Sequence, residues 1–233
     1  MHLPVLTILC GVPAVGKSTF AKNFLCKNPS AVHLTSDGIR KELYGAEAIL
    51  GDRSKVFDLM VQRTVKCLSD GKDVLYDSTA LERSARDNII SRCPAYVRIN
   101  CMLLWAPREV CIARDAARER TVGPAVIDLL TSTFEAPFYD ERFSDICFQL
   151  PDDFDREAYE QSKDLPPEDK NISDPDVRFA ARCIAGGVSP WEAIGLPGAT
   201  PFGVWLISAH KADDSYRENL PPFLKNILIQ LSE

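Results

Sequence analysis

The 233-residue sequence has no apolar run of the roughly 18 residues needed to span a bilayer, no two cysteines at C-x-x-C spacing, and no internal repeat or low-complexity tract. The first absence excludes a membrane-spanning helix. The second removes the commonest zinc and thiol-redox arrangements. The third removes solenoids and disordered linkers rich in one residue type. Histidine is scarce as well: His2, His33 and His210 are the only three, and none has metal-type neighbours in sequence, so all three are read as structural or exposed. The eight cysteines, at positions 10, 26, 67, 93, 101, 111, 147 and 183, stand mostly in apolar runs. They are read as buried small hydrophobes of a reducing compartment. The opening "MHLPVLTILCG" lacks the basic residues of a secretory leader, and the expected location is the cytoplasm.

Hydrophobic content of 45% and charged content of 26% fit an ordinary globular chain. The net charge of −6 is unevenly spread: residues 1–150 carry a net +1 and residues 151–233 a net −7. An acidic second part is a poor surface for nucleic acid, so a polyanion would have to be met by the first part. The composition changes after residue 150, where an acidic, proline-containing stretch without strand signals begins. The expected organisation is a domain over 1–150, a linker over 151–172, and a helical extension over 173–233.

What the sequence does contain is concentrated near its start. The apolar run ending at Cys10 has the length and character of a strand buried on both faces, and from Ser18 the apolar residues recur at helical spacing. Between them Gly11, Val12, Pro13, Ala14, Val15, Gly16, Lys17 and Ser18 fit G-x-x-x-x-G-K-[ST], with Thr19 following. In such a loop the backbone N–H groups and the helix N-terminus surround phosphate oxygens. Lys17 reaches the β and γ phosphates, and the Ser18 hydroxyl is placed for Mg²⁺. A chance match in a chain of this length is on the order of one in a hundred, and the flanking strand and helix lower that further. The motif points to a nucleoside triphosphate, expected to be ATP.

Further along, "AVHLT", "DVLYDST", "AYVRINCMLLW" and "FSDICFQL" read as strands alternating with helices over 52–71, 82–93, 107–121 and 123–135. Alternation of this kind predicts an α/β fold, a parallel sheet of the P-loop NTPase type flanked by helices. Asp174–Pro175 and Ser189–Pro190 mark helix starts in the last part, where Trp191, Phe202, Trp205 and Phe223 are read as core. There is no N-K-x-D, so guanine is not read in the usual GTPase manner.

The stretches "GVPAVGKSTFAKNFL", "TSDGIRKEL", "VLYDSTALERSAR", "CIARDAARERTVGPAVIDLL" and "FEAPFYDERFSDI" together resemble the P-loop kinases of the polynucleotide 5′-hydroxyl kinase and zeta-toxin-like, AAA_33-type group. The resemblance covers residues 3 to about 150. It implies an ATP- and Mg²⁺-dependent kinase that moves the γ-phosphoryl group to a hydroxyl acceptor, a nucleic-acid 5′ end first and a small molecule second; a nucleotide-dependent binding or switch protein is the alternative from another class. Under it, Asp37 is the general base and Arg40 holds the acceptor. Asp77 faces the metal and the acceptor, while Arg114 and Arg118, four residues apart on one helix face, form a lid over the triphosphate with help from Arg120. The residues also admit plainer readings: Asp37 with Ser36, and Asp77, as helix caps, and the arginines as a solvated face. The chain departs from the group at Ser36, where a basic residue is common, and at Ala80, where an asparagine is common.

Overall fold

The computed structural model describes residues 3–232; His2 lies outside them. These residues form two compact units. The first runs to Thr133 and resumes over Tyr139–Gln149; the second takes Phe134–Phe138 and the chain from Leu150 on.

The first unit consists of β1 (Val5–Cys10), α1 (Lys17–Lys27), β2 (Val32–Thr35), α2 (Ser36–Tyr44), α3 (Arg53–Ser69), β3 (Val74–Asp77), α4 (Arg83–Ile90), β4 (Arg98–Leu104), α5 (Arg108–Ala116), α6 (Pro124–Ser132) and β5 (Asp145–Gln149), with a 3₁₀ turn at Tyr139–Glu141 before β5. The strands form one sheet in the order β2-β3-β1-β4-β5, and every neighbouring pair is parallel. This is the expected α/β sheet flanked by helices. Leu6, Ile8, Leu9 and Cys10 of the central strand are wholly buried, which explains why β1 reads as an unbroken apolar run instead of an alternating one. From β1 the chain first builds β2 and β3 on one side and then β4 and β5 on the other. The carboxyl end of β1 is therefore the point where the crossovers reverse, and open α/β sheets bind ligands there.

A buried ion pair braces the loop that follows β3. Arg86 donates from Nε and Nη2 to the two carboxylate oxygens of Glu141 at 2.7 and 2.9 Å, and from Nη1 to the carbonyls of Ala80 and Leu81 at 3.1 and 2.9 Å. Burial works against the guanidinium charge, but the bond to Glu141 outweighs it and the group is held charged. Elsewhere in this unit the cysteines divide: Cys10, Cys93, Cys101 and Cys111 are buried as expected, whereas Cys26 on α1 is exposed. Only Ala21 of α1 is buried, and the rest of that helix faces outward far enough to carry Cys26 with it.

The second unit is helical: α7 (Arg156–Gln161), α8 (Pro175–Ala185), α9 (Pro190–Ala193), α10 (Pro201–Lys211), α11 (Asp214–Glu218) and α12 (Pro222–Gln230). The stretch 151–172 thus contains α7, capped by Asp155 through the N–H of Ala158. Asp174, Ser189 and Thr200 cap the helices that follow them, each with proline in the first turn. Trp191 and Trp205 are core residues, with Trp205 stacked 4.2 Å from the ring of Phe138. Phe223 is not in the core: it stands 63% exposed, because α12 turns Leu224 and Leu228 inward instead. No helix among the described residues is long and apolar enough to cross a membrane.

Candidate active site

The loop over residues 11–18 joins β1 to α1 and is shaped by two glycines. A Cβ on Gly11 would lie 2.7 Å from the Leu104 carbonyl oxygen, and Gly16, with φ 118°, caps α1 from a conformation that side chains rarely adopt. Ala14 also has a left-handed φ of 63°, in keeping with a loop that turns its N–H groups toward one point. The loop is pinned from β3's side by the Gly11 N–H, which donates to the Thr79 carbonyl at 3.0 Å.

Lys17 is the first residue of α1, and its ammonium donates to the carbonyls of Gly11 and Val12 at 2.7 and 2.8 Å. Burial pulls it down to about 8; the Asp77 carboxylate opposes the shift and the Arg118 guanidinium adds to it. Ser18 and Thr19 are exposed in the same helical turn. Arg114, on α5, donates from Nη1 to the Val15 carbonyl at 3.2 Å. Lys17, Arg114 and Arg118 therefore put positive charge around the loop.

Asp77 ends β3, opposite Leu9 of β1 on one side and Thr35 of β2 on the other. It is not a helix cap, since α4 begins six residues later behind Glu82. Its Oδ2 lies 3.2 Å from Nε2 of His33, a residue read from the sequence as structural or exposed. That pairing joins positions 44 apart, one in the middle of a strand and one at the tip of its neighbour. Only the sheet order brings them together, so no local spacing announces it.

Asp37 stands in the first turn of α2, and the cap of that helix is neither Asp37 nor Ser36. Thr35 caps it, accepting the Gly38 N–H at 2.8 Å. The Asp37 carboxylate is 54% exposed and accepts from Nη1 of Arg40 at 2.7 Å; Nη1 of Arg120 lies 4.0 Å away and donates to the Glu47 carbonyl at 2.8 Å. The Nε of Arg40 is buried without an acceptor. Through the register of β2, β3 and β1, residues 37, 77 and 11 follow one edge of the sheet, with β2 and β1 about 10 Å apart.

One expectation of placement is corrected. Arg114 and Arg118 do not share a helix face, because α5 ends at Ala116 and Arg118 stands in the loop beyond it. The cause is Asp115, whose carboxylate takes the N–H groups of Val122 and Gly123 and draws the chain away from the helix axis.

The oxygen donors at Ser18 and Asp77 suit a hard divalent cation that keeps several waters and shares phosphate oxygens, the usual mode of Mg²⁺. Among the described residues no three His, Cys, Asp or Glu side chains converge on a protein-only metal cage.

No curated protein matches the chain by sequence. Among solved structures, a chain of the Pnkp1/Rnl/Hen1 RNA repair complex is similar over 73% of this chain, at 20% identity and a TM-score of 0.52, and 54% of that chain is covered. Kti12 from Chaetomium thermophilum, solved with ADP-AlF3, is similar over 67% of this chain and 94% of its own, at 15% identity and a TM-score of 0.51. A putative kinase from Chloroflexus aurantiacus is similar over 70% and 94%, at 19% identity and a TM-score of 0.50. The chain thus spans about half of the RNA repair chain, and these likenesses speak for the fold. The profile of one family, AAA domain (AAA_33), matches residues 6–137, which takes in the phosphate loop, Asp37, Asp77 and the arginines of α5 and its following loop. Since that match covers more than half of the sequence and falls on the parallel sheet that carries the site, the chain belongs to the AAA_33 family of AAA domains.

Proposed function

We propose that the protein is an ATP-dependent kinase that transfers the γ-phosphoryl group to a hydroxyl, with a nucleic-acid 5′-hydroxyl as the leading acceptor. One observation carries the reading: an exposed carboxylate, Asp37, lies on the same sheet edge as the phosphate loop and has arginines at its side. A protein that only bound or sensed nucleotide would have no need of a base there. In the proposed reaction the amides of residues 11–18 and Lys17 hold the triphosphate. Arg114 and Arg118 neutralise the charge that develops on the transferred group, and Asp37 accepts the proton of the attacking hydroxyl. Arg40 orients the acceptor. When bound, Mg²⁺ supplies neutralisation of the phosphate oxygens, and Ser18 and Asp77 are the residues that would hold it.

A small-molecule acceptor, such as a nucleoside, sugar nucleotide or antibiotic, is the second reading. The near-neutral charge of residues 1–150 favours it, because a domain built for a long polyanion is usually basic. Transfer of labelled γ-phosphate to a panel of 5′-hydroxyl DNA, RNA, tRNA and nucleosides separates the two. Labelling of oligonucleotides well above nucleosides supports the first reading, and the reverse order supports the second. ADP release that no hydroxyl compound raises would overturn both in favour of a nucleotide switch.

A further inference from the structure

Asp115 is 2% exposed, one of six polar or charged residues buried among the described residues. Its two carboxylate oxygens accept the Val122 N–H at 3.2 and 2.9 Å, and the second of them also accepts the Gly123 N–H at 2.9 Å. Asp115 lies in the last turn of α5, and Gly123, with φ 87°, precedes α6. A single carboxylate therefore closes the base of the loop over 117–122. The Arg118 N–H donates to the Asp115 carbonyl at 3.1 Å and tightens the same base.

Two arginines stand in the closed loop and serve different sides of the site. The charge of Arg118 is felt at the Lys17 ammonium, on the nucleotide side. Arg120 reaches the Glu47 carbonyl and lies 4.0 Å from Asp37, on the acceptor side. A buried carboxylate carries a large desolvation cost, and here its hydrogen bonds go to loop amides, not to a cation. We propose that Asp115 is a positioning residue: it fixes the loop over 117–122 as a rigid strut, so that Arg118 on the donor side and Arg120 on the acceptor side are held in register before either ligand arrives. The inference rests on the reading that Arg118 serves the nucleotide and Arg120 the acceptor. It adds a residue that touches neither ligand and acts only through those two.

Two measurements test it. In the wild-type chain, the amides of Val122 and Gly123 should exchange with solvent at least about tenfold more slowly than those of Glu119, Arg120 and Thr121, because only the first two are tied to a buried acceptor. Equal rates overturn the proposal whatever the protein catalyses. The second measurement is a double-mutant cycle on affinity for a non-hydrolysable ATP analogue. Asp115→Ala removes the acceptor of both loop amides, and should weaken the analogue about tenfold in the wild-type background and less than about twofold in the Arg118→Ala background. Equal losses in both backgrounds mean that Asp115 acts on overall stability and overturn the positioning role, since a general structural loss would not depend on Arg118. If Asp115→Ala does not fold, the same cycle is run with the milder Asp115→Asn, and an equal loss in both backgrounds again overturns the positioning role. A wild-type chain that binds no nucleotide refutes the functional reading and the positioning role with it. Slow exchange in that case leaves Asp115 as a structural staple only.

Discussion

Asp37 and Arg40 stand one helical turn apart on α2, joined by a 2.7 Å hydrogen bond from the guanidinium Nη1 to the carboxylate. The carboxylate proposed to take a proton is thus already bound to the cation proposed to hold the acceptor. Neither group caps the helix, because Thr35 does.

From this pairing follows the behaviour of Arg40 variants. Arg40→Ala should lower kcat/KM for the acceptor by about 10- to 100-fold, the worth of a hydrogen bond to a charged group. Affinity for ATP should be unchanged, since the contacts of Arg40 are with Asp37 and Ser36 and not with the phosphate loop. Arg40→Lys keeps the charge but not the planar fork, and should fall between the two. Steady-state kinetics with each substrate varied in turn provides the check; equal losses for ATP and acceptor would place Arg40 on the donor side.

Lys17 gives a dependence on pH. Its ordinary value of 10.5 is pulled down to about 8 by burial, so the free protein releases this proton near pH 8. Phosphate oxygens beside the ammonium favour its charged form, so the complex holds the proton to higher pH. Nucleotide affinity should therefore be flat below about pH 7 and fall as pH rises through 8, by up to about tenfold per pH unit. Calorimetry at pH 8.5 in buffers of different ionisation enthalpy should show uptake of most of one proton on binding. The uptake should vanish in Lys17→Met, to the extent that this variant still binds.

Arg86 and Glu141 give a prediction about stability. Removing one partner leaves a buried charge and, for Arg86→Ala, the bare carbonyls of Ala80 and Leu81. Either Arg86→Ala or Glu141→Ala should cost about 3–5 kcal/mol in urea denaturation, while Arg86→Met combined with Glu141→Leu should recover the part due to the unpaired charge and not the part due to the Ala80 and Leu81 carbonyls, which stay bare. A loss under about 1 kcal/mol for either single change would mean that water reaches the pair.

The parts of the fold and site that were legible in the sequence are those written in consecutive residues. The phosphate loop could be read because residues 11–18 carry their own geometry, and the strands because each is a short apolar run bounded by turns. The helix caps at Asp174 and Ser189 were local in the same sense. What could not be read was decided across the sheet or by a single side chain overriding a period. His33 meets Asp77 only because β2 lies beside β3. Arg86 finds Glu141 at a separation of 55 residues. Arg118 leaves the helix that its spacing from Arg114 implied because Asp115 captures the amides of Val122 and Gly123. The spacing of the aromatics in the last part suggests Phe223 as core, but the period of α12 selects Leu224 and Leu228.

The most direct test of the account is the rate of phosphoryl transfer by Asp37→Asn, measured at saturating ATP with the acceptor that labels best in the panel. Asparagine keeps the size and still accepts from Arg40, and the helix keeps its Thr35 cap, so the variant should melt like the parent and bind ATP with unchanged affinity. It lacks the basicity. Transfer should fall by about 10² to 10⁴, the usual worth of general-base assistance. Near wild-type transfer by a folded, ATP-binding Asp37→Asn would contradict the account and move the search for the base to Asp77.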